Sequence, residues 1–254
     1  MRNNQPCAGF FDCMISRNAC TIFIMEIKIY IFKELAKKFN SHGFNLYLVG
    51  GTVRDYLLGE PLTDVDCVSE ATPEEIASFL PKIDKTFIRF GYLKFKSPEG
   101  VKFDITTLRK ESAYLDGRHP SKIEFVKDLK DDYSRRDFTV NALYMDKDLN
   151  VIDYANGQED LKNHLLRAVG DPETRLKEDP LRILRAIRFH LMHKLDIDES
   201  LLKAMHDNFH LLKNTTDAKI RSELAKIDDK VVDQNEKERI FQEFDIANLV
   251  GVIK

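Results

Sequence analysis

The chain has 254 residues, of which 43% are hydrophobic and 32% are charged, so it is long enough to bury one large core or two smaller ones. Its formal net charge of −3 gives no global basic field, and contacts with nucleic acid would have to come from local patches. The four cysteines include no Cys-x-x-Cys pair. This pattern excludes a disulfide framework and a zinc site, and it favours a reducing, cytoplasmic location.

The N-terminal region divides at Met25. Residues 1–24 carry little charge and no clear periodicity, and we interpret them as a non-structural extension, with Met25 as the true start. The apolar segment from Ala19 to Phe32 is interrupted by charges and is too short to cross a bilayer. After Met25 a helix is predicted, because apolar residues recur at helical spacing. These residues are Ile27, Ile31, Leu35 and Phe39.

A glycine pair marks the first candidate site. The apolar run Leu46–Val49 predicts a strand, Gly50-Gly51 follows at once, and a short helix is expected to end at Gly59. Glycines at such a turn let backbone N–H groups approach a phosphate, and the helix N-terminus attracts its charge. Arg54 on the first helical turn can bind phosphate oxygens. Taken alone, an ordinary strand–turn–helix is the simpler explanation.

An Asp-x-Asp pair follows the glycine turn. Because residues i and i+2 of a strand share a face, Asp64 and Asp66 are expected to point the same way, with Val65 and Cys67 facing the core. Paired carboxylates suit Mg²⁺. Asp104 lies in another alternating segment and is either a third carboxylate of this site or a surface residue. The combination predicts a triphosphate and metal site.

The remaining pattern predicts a mixed α and β chain. Thr72-Pro73-Glu74-Glu75 is typical of a capping box that begins a helix. Strands are expected at 86–90, 92–96, 101–106 and 123–126, a loop at Arg109–Pro120, helices at 199–213, 217–227 and 240–253, and a polar linker at 228–238.

Two further segments carry charges in patterns suited to nucleotide recognition. Arg135-Arg136-Asp137 precedes anchoring apolar residues, although such a triplet is usually a solvated cluster. Asp179, Arg182, Arg185 and Arg188 recur every three residues, so Asp179 and Arg182 are expected to be neighbours on one helix face. The apolar stripe that fixes this helix is Leu181, Leu184, Ile187 and Leu191.

The pair of Asp179 and Arg182 can select a base without a template. A carboxylate accepts a hydrogen bond from the exocyclic amino group of cytosine or adenine, and a guanidinium donates to the neighbouring acceptor. Uracil and guanine present a carbonyl where the amino group would be, so they are disfavoured. The alternative is a surface helix with intrahelical ion pairs.

Taken in order, these motifs resemble the head and neck of class II (bacterial-type) CCA-adding tRNA nucleotidyltransferases, which belong to a wider superfamily that includes bacterial poly(A) polymerase. The resemblance covers roughly residues 44–225. It implies an α+β fold, with a polymerase-β-like head whose mixed sheet is flanked by helices at 25–157. An all-α neck and truncated C-terminal helices follow at 158–254, with body and tail largely absent. Asp116–Pro120 resembles the flexible loop of members that add the terminal A.

The resemblance also implies the chemistry. Asp64 and Asp66 would bind Mg²⁺ and, with Asp104, catalyse two-metal transfer of CMP and AMP from CTP and ATP to the 3′ end of tRNA. The nucleotide-binding set would comprise Gly50, Gly51, Arg54, Arg136, Asp179, Arg182, Arg185 and Arg188. The alternatives are an A-only or CC-only enzyme, a poly(A) polymerase, and a non-catalytic tRNA-binding or nucleotide-binding remnant. The short C-terminus suggests a second chain or dimer supplying the tRNA platform, a truncated product or a reduced scaffold. No membrane partner is expected.

Overall fold

The computed structural model describes residues 9–114 and 120–251, with side chains described for 21–110 and 123–249. The chain divides into two compact units. The first comprises residues up to Thr107 together with Tyr144–Val151, and the second comprises Leu108–Leu143 and the residues from Ile152 onwards. The domain boundary between residues 157 and 158 stays a prediction. Within the described ranges, no helix has both the length and the apolar character needed to cross a membrane.

The secondary structure mixes short strands with helices. The strands are β1 (Tyr47–Val49), β2 (Val65–Ser69), β3 (Tyr92–Lys96), β4 (Lys102–Thr107), β5 (Arg109–Tyr114), β6 (Pro120–Phe125), β7 (Leu143–Met145), β8 (Val151–Asp153), β9 (Leu165–Leu166) and β10 (Asp196–Ile197). The helices are α1 (Gly9–Ser41), α2 (Gly51–Leu58), α3 (Pro73–Phe79), α4 (Leu129–Asp132), α5 (Gly157–Lys162), α6 (Pro172–Glu178), α7 (Leu181–His193), α8 (Glu199–Asn208), α9 (Asp217–Leu224), α10 (Gln234–Glu243) and α11 (Ile246–Gly251).

One sheet of the described residues has the strand order β3-β4-β2-β1-β7-β8. β2 and β4 are parallel, whereas β1 pairs antiparallel with β2 and β7, and β3 pairs antiparallel with β4. The sheet is therefore mixed, and the predicted α+β class is confirmed. Its parallel pair matters most, because β2 and β4 carry the predicted carboxylates.

Helix α1 packs through the apolar stripe that its sequence predicts. Ile31, Leu35 and Phe39 are buried, whereas Ile27 is 39% exposed. The helix was expected to begin at Met25, but it begins at Gly9. No proline or glycine lies between Gly9 and Met25, so nothing in the local sequence stops the helix from extending towards the N-terminus.

The segment before β3 differs from its prediction. A strand was expected at 86–90, but the structure has a 3-10 helix at Ile88–Phe90, which ends at Gly91 with a positive φ of 73°. The left-handed conformation of Gly91 turns the chain before β3, so aromatic residues that resemble a strand pattern do not form one. The capping box at Thr72 is confirmed, with Thr72 Oγ1 accepting from the Glu75 N–H.

Two polar segments of the second unit were predicted to lack regular structure. The expected loop at Arg109–Pro120 includes β5 and the start of β6, which pair antiparallel. The residues of this segment are mostly polar, so its composition resembles that of a loop. The expected linker at 228–238 contains the start of α10, which the Asp233 carboxylate caps by accepting from the N–H groups of Asn235 and Glu236.

Helix α7 lies in the hydrophobic core of the second unit. The four residues of the predicted stripe are all buried: Leu181, Leu184, Ile187 and Leu191. The anchoring residues after the Arg-Arg-Asp triplet are buried as well: Phe138, Val140 and Leu143. Both recognition segments are therefore fixed by apolar packing within this unit.

Candidate active site

The glycine turn lies between β1 and α2. Gly50 has φ 64° and ψ −128°, a conformation that L-residues rarely adopt, and its carbonyl accepts from the N–H groups of Val53 and Arg54. Gly50 has no side chain with which to cap α2, so the N–H groups of the first turn can serve an anion. Gly59 ends the helix in the left-handed conformation, as predicted.

Arg54 is buried on the first turn of α2, with 5% of its surface exposed. Its Nε and Nη2 atoms donate to Asp55 Oδ1 at 2.9 and 2.6 Å. A Cβ atom at Gly51 would lie 3.5 Å from Arg54 Nη2, so the glycine leaves room beside the guanidinium. The arginine is held in place before any phosphate arrives.

The carboxylates follow the predicted alternation. Asp64, just before β2, and Asp66 within it are exposed, whereas Val65 and Cys67 are each 1% exposed. In the parallel register, Asp66 pairs with Asp104 on β4. Paired residues of neighbouring strands share a face of the sheet, so Asp104 stands beside Asp66. The sheet places a third carboxylate where the sequence left two alternatives open.

The negative charge of these carboxylates raises the pKa values of two neighbouring side chains, Tyr92 and Cys67. Burial raises the pKa of the Tyr92 hydroxyl, and its hydrogen bond to Asp104 and the charges of Asp104, Asp66 and Asp64 raise it further. Burial, with smaller contributions from Asp66 and Asp104, also raises the pKa of the Cys67 thiol. An exposed set of carboxylate oxygens on one face fits a hard divalent cation.

Two side chains that the sequence did not single out position the carboxylates. Thr52 Oγ1 accepts from the Asp66 N–H at 2.9 Å and so joins α2 to β2. Lys28 Nζ on α1 donates to the carbonyl oxygens of Leu62 and Thr63 at 2.5 and 2.6 Å, directly before Asp64. Burial lowers the pKa of Lys28, and the Asp64 charge opposes this. Thr52 could have been noticed from its place between the glycines and Arg54, whereas Lys28 gave no local signal.

The second unit holds the other predicted residues. Arg136 Nη2 donates to Asp132 Oδ2 at 2.8 Å, and Arg135 Nε donates to Asp132 Oδ1 at 2.8 Å. Asp132 is fully buried and also accepts from the Arg109 N–H. Arg175 Nη2 in turn donates to the Arg136 carbonyl oxygen at 3.0 Å. The arginine pair is therefore part of a bonded frame rather than a solvated cluster.

Asp179 does not lie on the recognition helix, contrary to the prediction. It has extended backbone (φ −145°, ψ 97°) between α6 and α7, because the following Pro180 disfavours helical geometry in the residue before it. Asp179 and Arg182 are still adjacent, since the Arg182 N–H donates to the Asp179 carbonyl at 3.0 Å. Asp179 Oδ1 accepts from the Leu181 N–H at 3.1 Å.

Arg182 is buried, with 7% of its surface exposed. Its Nη1 donates to the Arg175 carbonyl at 2.9 Å and to Glu178 Oε2 at 3.1 Å, while Nη2 reaches the Arg135 carbonyl at 3.4 Å. Glu178, for which no role was predicted from the sequence, orients the guanidinium. Position i−4 to an arginine was the signal that could have identified it.

The later arginines of α7 form ion pairs within the second unit. Arg185 donates to Asp137 Oδ2, and Arg188 Nε donates to Glu223 Oε1 at 2.7 Å. Burial of Asp137 disfavours its charge, yet Arg185 lowers the pKa of Asp137 to about 2. These contacts give Arg185 and Arg188 a role in fixing α7, and their contact with nucleotide stays a prediction.

The predicted flexible loop at Asp116–Pro120 lies outside the described residues, apart from Pro120, which begins β6. The carboxylates, the glycine turn and Arg54 belong to the first unit. Arg136, Asp179 and the arginines of α7 belong to the second.

The chain is similar in sequence to a known domain family and to curated proteins. Residues 46–167 match the model of the poly(A) polymerase head domain. The CCA-adding enzyme of Lactobacillus helveticus is 46% identical over 185 residues, which are 73% of this chain and 46% of that protein. The enzyme of the same name from Staphylococcus haemolyticus is 40% identical over 195 residues, covering 77% of this chain and 48% of its own length. The chain therefore spans about half the length of these curated relatives.

Solved structures show the same likeness. The Bacillus stearothermophilus CCA-adding enzyme in complex with CTP superposes with a TM-score of 0.70 at 32% identity, covering 77% of this chain and 47% of that one. The Thermotoga maritima CCA-adding enzyme complexed with tRNA gives a TM-score of 0.69 at 29% identity, covering 85% of this chain and 50% of its own.

Proposed function

We propose that the chain belongs, in its head and neck regions, to the family of CCA-adding enzymes and poly(A) polymerases, and that it transfers CMP and AMP from CTP and ATP to the 3′ end of tRNA. The observation that carries this proposal is the register that places Asp104 beside Asp66, on strands next to the glycine turn. Carboxylates next to a phosphate-binding turn are the minimum that nucleotidyl transfer requires.

The first unit would hold the triphosphate and the metal. Asp64 and Asp66 would bind Mg²⁺, and Asp104 would complete the set of oxygen donors. Bound Mg²⁺ supplies charge neutralisation at the triphosphate and activation of the acceptor hydroxyl. The N–H groups at the start of α2 and the Arg54 guanidinium hold phosphate oxygens, and their preset orientation stabilises charge without reorganisation.

The second unit would choose the base. Asp179 accepts from the exocyclic amino group of cytosine or adenine, and Arg182 donates to the neighbouring acceptor. Glu178 holds the Arg182 guanidinium in one orientation, which makes the selection geometric. Arg136 carries positive charge for the nucleotide's phosphates. Each bidentate contact with a base is worth about 1–3 kcal/mol of discrimination.

The test is nucleotide incorporation followed by sequencing of RNA 3′ ends. The chain is incubated with Mg²⁺, a single NTP and tRNA that ends before, within or just short of CCA. Ordered addition of two C residues and one A supports the proposal. Addition of C alone, of a single A, or of an A tract on any RNA assigns one of the alternative activities. Failure of every NTP with every tRNA contradicts enzymatic function for this chain.

Variants separate catalysis from base choice. Asp64→Ala and Asp66→Ala should abolish incorporation of CTP and ATP alike, because both nucleotides use one metal site. Asp179→Asn and Arg182→Ala should instead change the ratio of C or A to U or G by about tenfold or more per contact. Unchanged base preference in both of the latter variants contradicts the selection model.

A further inference from the structure

Three lysines on β3 and β4, Lys94, Lys96 and Lys102, lie on the same face of the sheet as the carboxylates. Directly opposed residues of an antiparallel pair share a face, and Lys94 pairs with Asp104 while Lys96 pairs with Lys102. All three lysines are exposed, whereas Leu93, directly before Lys94, is fully buried on the other face. The face that presents the carboxylates therefore also presents these three cations.

Two exposed phenylalanines lie immediately before these lysines. Phe87 is 45% exposed and Phe90 is 41% exposed, on the turn that contains the 3-10 helix. The Arg89 guanidinium carbon lies 4.6 Å from the centre of the Phe90 ring. Single exposed apolar residues are ordinary, but two rings and a stacked cation on one short turn indicate a binding surface.

Tyr92 connects the aromatic turn to the carboxylates. The Phe87 ring approaches the Tyr92 ring edge-on, with 6.0 Å between centroids. Tyr92 pairs with Thr106 and Lys94 with Asp104, so Tyr92 lies on the same face of the sheet as Asp104, and Lys94 Nζ lies 5.7 Å from the centre of the Tyr92 ring. Through this tyrosine the rings, the lysines and Asp104 form one continuous surface.

The local charge differs from that of the whole chain. Residues 82–102 contain six Lys or Arg and two acidic residues, a net charge of +4 within a chain whose formal net charge is −3. The two acids are Asp84, which pairs with Lys94 through the backbone, and Glu99. A basic segment in a chain of negative net charge favours a polyanionic partner at that segment.

We propose that this surface, the aromatic–lysine track (Phe87, Phe90, Lys94, Lys96 and Lys102), binds the single-stranded 3′ end of the acceptor RNA. The lysines contact its phosphates, and its unpaired bases stack on the phenylalanine rings. Proteins that hold single strands combine cations with aromatic rings in this way, without reading sequence. The inference rests on the proposed function and adds where the acceptor lies: on the sheet face that carries Asp66 and Asp104.

Paired variants test the track. Phe87→Ala with Phe90→Ala removes the rings, and Lys96→Ala with Lys102→Ala removes two cations without changing Lys94 beside Asp104. The matched controls are Phe23→Ala with Tyr30→Ala, which removes exposed rings from α1, and Lys37→Ala with Lys38→Ala. Circular dichroism and thermal unfolding verify that each variant folds like the original chain.

The first readout is binding of a fluorescein-labelled single-stranded RNA that matches the acceptor end, measured by anisotropy. Each track variant should weaken this binding about tenfold or more, since each stacked base or phosphate contact contributes roughly that much. Binding of a blunt RNA duplex should change little, and the controls should bind as the original chain does. Equal single-strand binding by track and control variants overturns the proposal.

The second readout is steady-state incorporation of CTP into tRNA. The KM for tRNA should rise about tenfold in the track variants, while kcat at saturating tRNA and the KM for CTP stay unchanged. A rise in the KM for CTP alone would assign the lysines to the triphosphate and overturn the proposal. If the original chain incorporates no nucleotide, the proposed function fails. The anisotropy measurement still decides the track, because it requires no chemistry.

Discussion

At the scale of residues, the positions of the carboxylates depend on hydrogen bonds to the backbone at Asp66 and directly before Asp64. Thr52 is 3% exposed and accepts from the Asp66 N–H, and Lys28 holds the two carbonyls before Asp64. Neither side chain needs to touch substrate, yet both limit where the carboxylates can lie. Such positioning matters because metal-assisted transfer tolerates little displacement of its ligands.

Thr52→Val should lower kcat without a large change in the KM for either substrate. Valine has the shape of threonine but lacks the hydroxyl, so the Asp66 N–H loses its acceptor, at a cost of about 1–3 kcal/mol. The expected fall in kcat is about tenfold, measured as CTP incorporation at saturating substrates. Thr52→Ser keeps the hydroxyl and should restore most of the rate. A serine variant as slow as the valine variant would contradict this role.

Asp137 makes the second unit sensitive to acid. Its pKa is lowered to about 2 in the folded chain, by Arg185 against the opposing effect of burial, compared with about 3.9 when unfolded. The ionised form therefore stabilises the fold above about pH 4, and this contribution is lost as pH falls from about 4 through 2. The shift corresponds to roughly 2–3 kcal/mol.

Asp137→Asn should lower the free energy of unfolding by roughly 2–3 kcal/mol at pH 7 and show a smaller further loss in acid. Urea unfolding at pH 7 and at about pH 3 measures both effects. Asp148→Asn, at an exposed turn of the first unit, serves as the control and should change neither value by more than about 0.5 kcal/mol. Equal stability of Asp137→Asn and the original chain at pH 7 would contradict the assignment.

At the scale of elements, backbone geometry decides where the recognition segments begin and end. Pro180 ends α6 and begins α7, which moves Asp179 off the helix and lets its carboxylate accept from the Leu181 N–H. Helix α5 starts beside the Thr139 carbonyl, so close that only a glycine fits at its first position. These boundaries come from single residues rather than from hydrophobic periodicity.

Gly157→Ala should destabilise the second unit by about 2 kcal/mol or more, because a Cβ atom there would lie 2.1 Å from the Thr139 carbonyl oxygen. The midpoint of urea unfolding measures the loss. Gly251→Ala is the matched control, since an added Cβ meets nothing within 4 Å and alanine favours the helix. A stable Gly157→Ala variant would mean that α5 can shift away from Thr139 at little cost.

At the scale of the whole molecule, charge is distributed unevenly. The chain has a formal net charge of −3, while residues 82–102 carry +4. Its affinity for RNA should therefore depend on a few local cations rather than on a broad basic field.

The binding of single-stranded RNA should weaken with salt along a shallow slope. Each neutralised phosphate of a single strand contributes about −0.7 to the slope of log K against log salt, so three lysines predict about −2. Replacing Lys96 and Lys102 with alanine should reduce the slope to about −0.7. Anisotropy over a KCl titration gives both values. A slope much steeper than about −2 would mean that cations outside the track bind the RNA.

The sequence by itself determined much of the local structure of this protein and, through its resemblance to a known family, the chemistry that is expected of it. The glycine turn, the Asp-x-Asp alternation and the buried stripe of α7 are all encoded in neighbouring residues, the first by glycine placement and the other two by periodicity. Only the tertiary structure decided that Asp104 stands beside Asp66, that Thr52 and Lys28 support the carboxylates, and that Glu178 and Asp137 hold the arginines of α7. These contacts join residues on different elements. They depend on strand order, register and helix packing, which no local pattern specifies.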